Sequence, residues 1–310
     1  MRKVLRSRFL VLGAVLGSGL LSAQAPPATE IFLAPLTTAG AKVTVGRPIN
    51  ITNNPGYDNQ PQFLADSSGV FFSSMRDGVQ TDIYRYDIAA KRVVQVTNTT
   101  ENEYSPTLTP DGQTFSTVRG AQQKLWRFTM DGTDAGLAWT HMGLIGYHVW
   151  ISPSQMATFV LGANREPNTL QLLDLRTGGG EVIEKSIGRS LLMRPGTGTV
   201  SFVHKPQGSP WVIRELNPKT KQITTLTPTV EGSEDLAWTP DGAIVMGQKG
   251  KLMMWSPSTR PEQSRGARSG QAGWTEIADL TKQGVENITR LTVSPDGRWI
   301  AIVSQAAVTR

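Results

Sequence analysis

The chain has 310 residues, a length that allows one large domain or two smaller ones. Hydrophobic residues make up 38% and charged residues 18%, with 31 glycines and 19 prolines, which favours many short strands joined by tight turns. No cysteine is present, which excludes disulfides, thiolate chemistry and attachment of a lipid to cysteine.

Residues 1–25 are predicted to be a secretory signal peptide. A basic start, MRKVLRSR, precedes the apolar run FLVLGAVLGSGLL (residues 9–21), which is shorter than the ~20 residues of a membrane span. Ala23-Gln24-Ala25 offers small side chains for cleavage after Ala25. We expect a periplasmic or secreted protein without stable membrane insertion, and an uncleaved anchor is the alternative. Loss of four basic residues lowers the net charge from +6 to about +2, so no nucleic-acid partner is expected.

Six copies of one unit follow the signal region. The clearest copies read YSPTLTPDGQTFSTV (104–118), DLAWTPDGAIVMG (235–247) and RLTVSPDGRWIAIV (290–303). Successive copies are 45, 43, 42, 45 and 55 residues apart when they are aligned on Ala65, Pro110, Pro153, Pro195, Pro240 and Pro295. This period is typical of propeller blades. Within a unit, alternating polarity and intervening turn residues predict four antiparallel strands.

The last unit contains only two strands before the sequence ends, so its other pair is expected near the N-terminus. IFLAPL (31–36) is similar to the third strands of the other units, and PINITNN (48–54) is similar to the fourth strands. We therefore predict an all-β fold, a single six-bladed β-propeller of four-stranded antiparallel blades over residues 26–310. Residues 29–54 and 285–305 are predicted to form the closing blade, which leaves no unpaired strand edge.

Two recurring or unusual segments are predicted to be structural. Residues 256–273, SPSTRPEQSRGARSGQAG, explain the longest spacing, and their polar, aperiodic sequence predicts a disordered insertion, with a partner-docking loop as the alternative. The Asp-Gly pairs of the repeated turn suit hairpins, because Asp accepts backbone hydrogen bonds and Gly adopts a positive φ. Catalysis is therefore not expected of Asp111, Asp241 or Asp296.

The repeats share the pattern P-x-[FLW]-[ST]-P-D-G followed by an apolar strand, and FFSSMRDGVQTDIYRYDI (71–88) reads S-x-R-x-G and then D-I-Y. In both respects the sequence resembles the WD40-like (PD40) repeats of the TolB-type six-bladed propeller. The resemblance covers roughly residues 29–305 and implies this fold. TolB also carries an N-terminal α/β domain, which this sequence is expected to lack, so the contact of that domain with an inner-membrane partner is not implied.

Candidate binding residues lie where each innermost strand is expected to start. Propellers bind ligands at the mouth of the central tunnel, which these strand starts and the preceding loops form. The predicted mouth residues are acids, amides, aromatic residues, a histidine and arginines: Asp58, Asn59, Gln60, Glu103, Tyr104, Tyr147, His148, Arg189, Glu234, Asp235 and Arg290. Loops on the same face are predicted to add Arg76, Asp77, Arg119, Arg165 and Lys205. A solvated polar rim is the alternative.

These residues favour a binding module over an enzyme. No catalytic residue is predicted, and the absence of G-x-S-x-G argues against a propeller-capped serine peptidase. We expect a monomer without a cofactor that binds an envelope protein or peptide through the tunnel mouth. The alternative is a calcium-dependent, lactonase-like hydrolase with oxygen ligands from Asp58, Asn59, Glu103, Glu234 and Asp235.

Overall fold

The structure is a computed structural model that describes residues 27–39, 42–141, 144–257 and 273–305. These residues form six antiparallel blades arranged as a propeller, which confirms the predicted fold class. The predicted signal peptide and residues 258–272 of the predicted insertion lie outside the described residues. Within the described ranges, no helix is long and apolar enough to cross a membrane.

The N-terminal strands belong to the closing blade, and blade 1 begins at β4. The N-terminal strands are β1 (Thr29–Ala39), β2 (Lys42–Val45) and β3 (Ile49–Asn50). Blade 1 consists of β4 (Asp58–Phe63), β5 (Gly69–Ser74), β6 (Asp82–Asp87) and β7 (Arg92–Gln95). Blade 2 consists of β8 (Glu103–Leu108), β9 (Thr114–Arg119), β10 (Lys124–Thr129) and β11 (Asp134–Trp139).

The remaining blades repeat this order along the chain. Blade 3 consists of β12 (Ile145–Ser152), β13 (Gln155–Val160), β14 (Thr169–Asp174) and β15 (Gly179–Lys185). Blade 4 consists of β16 (Ile187–Met193), β17 (Val200–His204), β18 (Val212–Leu216) and β19 (Ile223–Pro228). Blade 5 consists of β20 (Leu236–Trp238), β21 (Ile244–Gln248), β22 (Lys251–Trp255) and β23 (Thr275–Asp279). A short 3₁₀ helix (Thr281–Gln283) leads to β24 (Ile288–Val293) and β25 (Trp299–Gln305) of blade 6.

Blade 6 is closed by the N-terminal segment, as the sequence predicts. Strand β1 pairs antiparallel with β25 from Thr29 opposite Gln305 to Pro35 opposite Trp299. The fourth position of this blade differs from the prediction. Only Ile49–Asn50 of the predicted fourth strand pairs with β1, and the hairpin strand β2 covers the far end of β1. Since β1 is eleven residues long, two short strands share its outer edge.

The repeated turns have the expected structural role. In the turn after β8, Asp111 accepts hydrogen bonds from the Thr109 hydroxyl at 2.6 Å and from the Gln113 amide at 3.0 Å. Gly112 has a φ of 66°, a left-handed conformation that glycine adopts without Cβ strain. These turns end the innermost strands β4, β8, β12, β16, β20 and β24 at one end of the tunnel, which we call the turn face. The opposite end, where these strands start, is the mouth face.

The hydrophobic core lies between neighbouring blades. Phe71 of blade 1 packs on Phe115 of blade 2 with ring centroids 4.8 Å apart, and Phe115 stacks on Phe128 at 5.5 Å. All three side chains are fully buried. Large aromatic side chains fill the space between twisted sheets, and burying each contributes on the order of 2 kcal/mol. This packing fixes the inner strands around the tunnel.

Candidate functional site

The innermost strands are irregular near their starts on the mouth face. In five of the six described inner strands, the pairing register with the second strand shifts within the first few residues. Gln60 and Ser105 have φ values of 59° and 57°, so the chain bends at equivalent places in blades 1 and 2. Such bulges change the direction of side chains relative to a regular alternation. They decide which predicted residues face the tunnel.

A set of polar contacts crosses the tunnel at the mouth face. Arg290 of blade 6 donates from Nη2 to the Tyr147 hydroxyl of blade 3 at 3.1 Å, which joins opposite sides of the ring. Arg189 of blade 4 donates from Nε to Asp235 Oδ2 at 2.8 Å and from Nη2 to the carbonyl oxygen of Thr289 at 2.9 Å. We call Tyr147, Arg189, Asp235 and Arg290 the tunnel plug. All four belong to the predicted mouth residues.

Tyrosine rings surround the plug. The Arg290 guanidinium lies 4.9 Å from the centroid of the Tyr147 ring, an arrangement that favours the cation. Tyr57 and Tyr104 meet edge to face with centroids 6.2 Å apart. Burial raises the pKa of the Tyr57 phenol above its ordinary value, so this hydroxyl stays protonated at neutral pH. Tyr57 is not among the predicted mouth residues, although aromatic residues near three consecutive inner-strand starts are a signal for it.

Two cavities follow the tunnel axis from the plug. The first has a volume of about 110 Å³ and is lined by residues of all six inner strands, including every plug residue. The second, about 360 Å³, opens toward the turn face and is lined by Met193, Trp238 and the turn prolines Pro195, Pro240 and Pro295. The tunnel is therefore polar at the plug and largely apolar at the turn face.

An open groove of about 660 Å³ extends outward from the plug between blades 3 and 4. We call it the mouth groove and define it by Tyr147, Phe159, Arg165, Arg189, Lys205 and Glu234. The Lys205 ammonium lies 2.9 Å from Glu234 and 4.0 Å from the centroid of the Trp211 ring. Glu234 Oε1 lies 3.6 Å from Arg189 Nε, so the groove and the plug share one ion-pair network. The groove brings together five predicted residues from strand starts and loops.

Two predicted mouth acids do not reach the opening. The side chains of Asp58 and Glu103 are fully buried within the walls of blades 1 and 2. Asp58 accepts hydrogen bonds from the Ser74 hydroxyl at 2.6 Å and from Asn54 Nδ2 at 3.1 Å. Burial raises the pKa of Asp58 to about 6 and that of Glu103 to about 7. Both carboxyl groups therefore lie inside the blades and do not face the tunnel mouth.

His148 is also placed away from the opening. Its Nε2 lies 2.6 Å from the hydroxyl of Ser116 in the neighbouring blade, and Trp150 donates from Nε1 to the same hydroxyl at 2.9 Å. Burial lowers the pKa of His148 to about 3, so the imidazole is neutral. The His148 Nδ1 atom has no hydrogen-bond partner among the described residues. The hydrogen bonds of Ser116 with His148 and Trp150 therefore join blades 2 and 3.

The other predicted residues on blades 1 and 2 have local partners. Gln60 is buried and accepts a hydrogen bond from the Ser105 amide at 2.8 Å, while Asn59 accepts one from the Gln60 amide. Arg76 lies 3.7 Å from Asp58, and Asp77 accepts hydrogen bonds from backbone amides of its own loop. Arg119 pairs with Glu101 and Asp134 and stacks on the Trp126 ring. These contacts stabilise loops and strand ends rather than the groove.

The five oxygen donors of the calcium alternative do not converge. Asp58 and Glu103 are buried in separate blades, and the carboxylates of Asp235 and Glu234 are held by Arg189 and Lys205. Across the described ranges, no three side chains of His, Asp or Glu are grouped closely enough to hold a metal ion. A calcium ion needs six to eight oxygen ligands, so these residues do not fit one.

Comparisons with known proteins find similar folds among solved structures. No protein-family model matches the sequence, and no curated protein matches it. The structure is similar to that of TolB from Acinetobacter baumannii, with a TM-score of 0.55 and 13% identity over 90% of this chain and 64% of that chain. It is also similar to a structure from Agrobacterium tumefaciens described as a TolB, with a TM-score of 0.64 and 12% identity over 91% of this chain and 100% of that chain.

A third similar structure is a gluconolactonase, XC5397 from Xanthomonas campestris, with a TM-score of 0.61 and 7% identity over 90% of this chain and 98% of that chain. The present chain spans less than two thirds of the Acinetobacter TolB. Identities this low show a shared fold alone. The chain is thus a six-bladed β-propeller with TolB among its structural neighbours.

Proposed function

We propose that this protein is an extracytoplasmic binding module that recognises an envelope protein or peptide through the mouth groove. The observation that carries the proposal is the convergence of Tyr147, Arg165, Arg189, Lys205 and Glu234 in one open groove. The N-terminal sequence supports export, and the resemblance to TolB-type repeats supports a role in the envelope. The expected state in solution is a monomer without a cofactor.

The groove suits an extended peptide better than a small compact ligand. In the groove the partly exposed Tyr147 packs edge to face on the buried Phe159, with ring centroids 5.6 Å apart, so the Tyr147 ring offers apolar surface to a peptide side chain. Arg165 is exposed and Lys205 is partly exposed, so cationic groups stand along one side. An apolar floor with a polar rim is typical of recognition sites. The positive side favours a peptide with acidic groups.

The hydrolase alternative has weaker support. Its support is a structural likeness to a gluconolactonase at 7% identity, which concerns the fold. A lactonase of the calcium-dependent type needs an electrophilic cation in the tunnel, and the acids that would bind it are paired with Arg189, Arg290 and Lys205. Binding therefore remains the function that the geometry favours.

A charge-removal experiment tests the proposal. The double variant Arg165→Gln and Lys205→Gln removes two positive charges from the groove and keeps side-chain length. The matched control is Lys219→Gln with Lys221→Gln, which removes two exposed charges from the turn face of blade 4. Immobilised proteins are incubated with envelope extract at low salt, and the bound proteins are quantified by mass spectrometry. Low salt is used because screening weakens contacts between exposed charges.

We expect the wild type and the control to retain at least one protein about tenfold more strongly than the groove variant, which corresponds to about 1.4 kcal/mol of binding free energy. A short acidic peptide should compete with this protein for the groove. Equal recovery of all proteins by the groove variant, the control and the wild type would show that the groove is not the binding surface.

A further inference from the structure

The tunnel plug and the adjoining groove hold more positive than negative charge. Within the network just described, three cations, Arg189, Arg290 and Lys205, contact two carboxylates, Asp235 and Glu234. The Lys205 ammonium lies 2.9 Å from Glu234 and pairs with it. The guanidinium groups of Arg189 and Arg290 both contact Asp235 and share its single negative charge. One positive charge in this part of the described chain has no carboxylate of its own.

The positive charge of Arg290 is less well compensated by carboxylates than that of Arg189. The Arg290 side chain is 14% exposed, and its Nε lies 3.8 Å from Asp235 Oδ1, which is beyond hydrogen-bond distance. No other hydrogen-bond acceptor for Nε is found in the part of the chain that the structure describes. Among the described residues, the Arg290 side chain donates one hydrogen bond, to the neutral hydroxyl of Tyr147. A cation this buried is costly unless an anion accompanies it.

The surroundings of the two arginines match a carboxylate. Arg189 donates from Nε and Nη2 to a single oxygen of Asp235, Oδ2, so a carboxylate fits against this guanidinium although only one of its oxygens is bound here. The planar fork of a guanidinium pairs well with two coplanar oxygens. Tyr57, whose phenol is kept protonated by burial, and Tyr147 supply hydroxyl donors beside the arginines. One uncompensated positive charge matches a monoanion better than a phosphate of higher charge.

We propose that the floor of the tunnel mouth binds a carboxylate of the ligand between Arg189 and Arg290. This inference rests on the proposed function and specifies which group of a bound peptide enters the plug. The carboxylate comes from the C-terminus of the peptide or from an acidic side chain. Asp235 holds the arginines in place and competes with the incoming carboxylate for them. The rest of the peptide extends along the mouth groove.

Small probes test the carboxylate directly. N-acetyl-dialanine carries a free C-terminal carboxylate, the α-amide of N-acetyl-alanyl-glutamic acid carries only a side-chain carboxylate, and N-acetyl-dialanine amide carries neither. Binding to the purified protein is measured by titration calorimetry and NMR at low salt and pH 7, with inorganic phosphate as a further probe. We expect a Kd of about 1 mM or lower for one or both carboxylates and no binding of the neutral amide.

The two carboxylate probes identify the source of the group, because tighter binding of one of them points to a chain end or to a side chain. Tighter binding of phosphate than of either carboxylate would overturn the proposed ligand class. Absence of binding by all probes at about 10 mM would overturn the site itself.

Variants locate the binding in the plug. Arg290→Gln and Arg189→Gln should each weaken carboxylate binding about tenfold or more, whereas Arg298→Gln, an exposed arginine paired with Asp296 at the turn face, should leave it unchanged. Asp235→Asn removes the internal competitor and should strengthen binding about tenfold. Because Asp235→Asn is expected to strengthen binding whereas the arginine variants weaken it, its result separates the proposal from general damage to the fold. Circular dichroism checks that each variant is folded. If Asp235→Asn folds and binds the carboxylates no better than the wild type, the proposal is wrong.

This test can fail independently of the proposed function. If no probe binds while capture of a partner still depends on Arg165 and Lys205, the groove is a binding surface and the carboxylate inference is wrong. If the probes bind but no partner depends on the groove, the proposed function is wrong and the plug binds a small carboxylate.

Discussion

Two buried carboxyl groups occupy strand positions that hold isoleucine in other blades. Asp58 and Glu103 make the first pair of their inner strand with the second strand, as Ile145, Ile187 and Ile288 do in blades 3, 4 and 6. The surroundings are correspondingly dry, and burial raises the pKa of Asp58 to about 6 and of Glu103 to about 7. Ionising either group inside the blade therefore opposes folding.

Neutral substitutions at these positions should change how stability depends on pH. Between about pH 4 and the folded-state pKa, the folded protein holds more protons than the unfolded chain, so these groups lower the free energy of unfolding as pH rises. The full effect is up to about 3 kcal/mol for each group. The free energy of unfolding of Asp58→Asn, minus that of the wild type, should be larger at pH 8 than at pH 4 by about that amount. The same should hold for Glu103→Gln. Urea unfolding at both pH values measures it, and parallel pH profiles of variant and wild type would contradict it.

The chemical types of the site residues are easier to predict than the directions of their side chains. Arg189, Asp235 and Arg290 were predicted because charged residues cluster at inner-strand starts, and they meet in the plug. Asp58 and Glu103 have the same sequence signal, yet they stand before the bulge, in the first pair with the second strand, and their side chains are buried in the blade walls. A shift of one residue exchanges the two faces of a strand, and no residue type in the sequence marks that shift.

At the scale of strands and blades, the same contact is built twice with different residues. Trp150 donates to Ser116 across blades 2 and 3, and Trp238 donates to Ser201 across blades 4 and 5 at 2.8 Å. Two residues before each tryptophan stand His148 and Leu236, respectively. Because Leu236 is buried at its position, an apolar side chain is compatible with this interface. His148 is therefore not required for the contact between the blades.

His148→Leu should remove a source of acid sensitivity. Burial lowers the pKa of His148 to about 3, so below about pH 6.5 the unfolded chain takes up a proton that the folded protein excludes. The contribution of His148 to the free energy of unfolding therefore falls by about 2 kcal/mol between pH 7 and pH 5. We expect the variant to fold normally at pH 7 and to lose about 2 kcal/mol less than the wild type at pH 5. A wild-type pH dependence in the variant, measured by urea unfolding, would show that His148 is not responsible.

The elements themselves were largely predictable, since their signals are local. Alternating polarity, the Asp-Gly turns and the regular spacing predicted the blades, and Gly112 and its equivalents have the expected positive φ. Strand β2 was not predicted, because KVTV is too short to be distinguished from a loop by periodicity. Its pairing depends on the length of β1, which a local pattern does not reveal.

On the scale of the whole molecule, the ring makes contacts that sequence separation hides. Arg290 and Tyr147 lie on opposite blades, and they meet because the tunnel is narrow enough for one arginine side chain to cross it. The repeat predicts that the two strands face each other across the axis. Whether their side chains meet depends on the tunnel width and on neighbours such as Asp235, which are properties of the assembled ring.

The ring also depends on its closing segment. Strand β1 pairs with β25 along seven residues, and Ile31, Leu33 and Ala34 are almost fully buried between the blades. Without this segment, β25 becomes an exposed edge next to buried side chains such as Ile302. An unpaired apolar edge is a template for aggregation.

Deletion of residues 29–54 should therefore yield a protein that aggregates or unfolds without a cooperative transition. Size-exclusion chromatography and thermal melting measure this outcome. A synthetic peptide of residues 29–54, added during refolding, should restore a monodisperse protein by supplying the missing strand to β25. As a control, Val79→Ala, at a side chain that is 78% exposed, should change stability by no more than about 0.5 kcal/mol. A deletion variant that is monodisperse and melts cooperatively would show that the ring does not require its N-terminal strands, because the other blades would then hold β24 and β25 in place unaided.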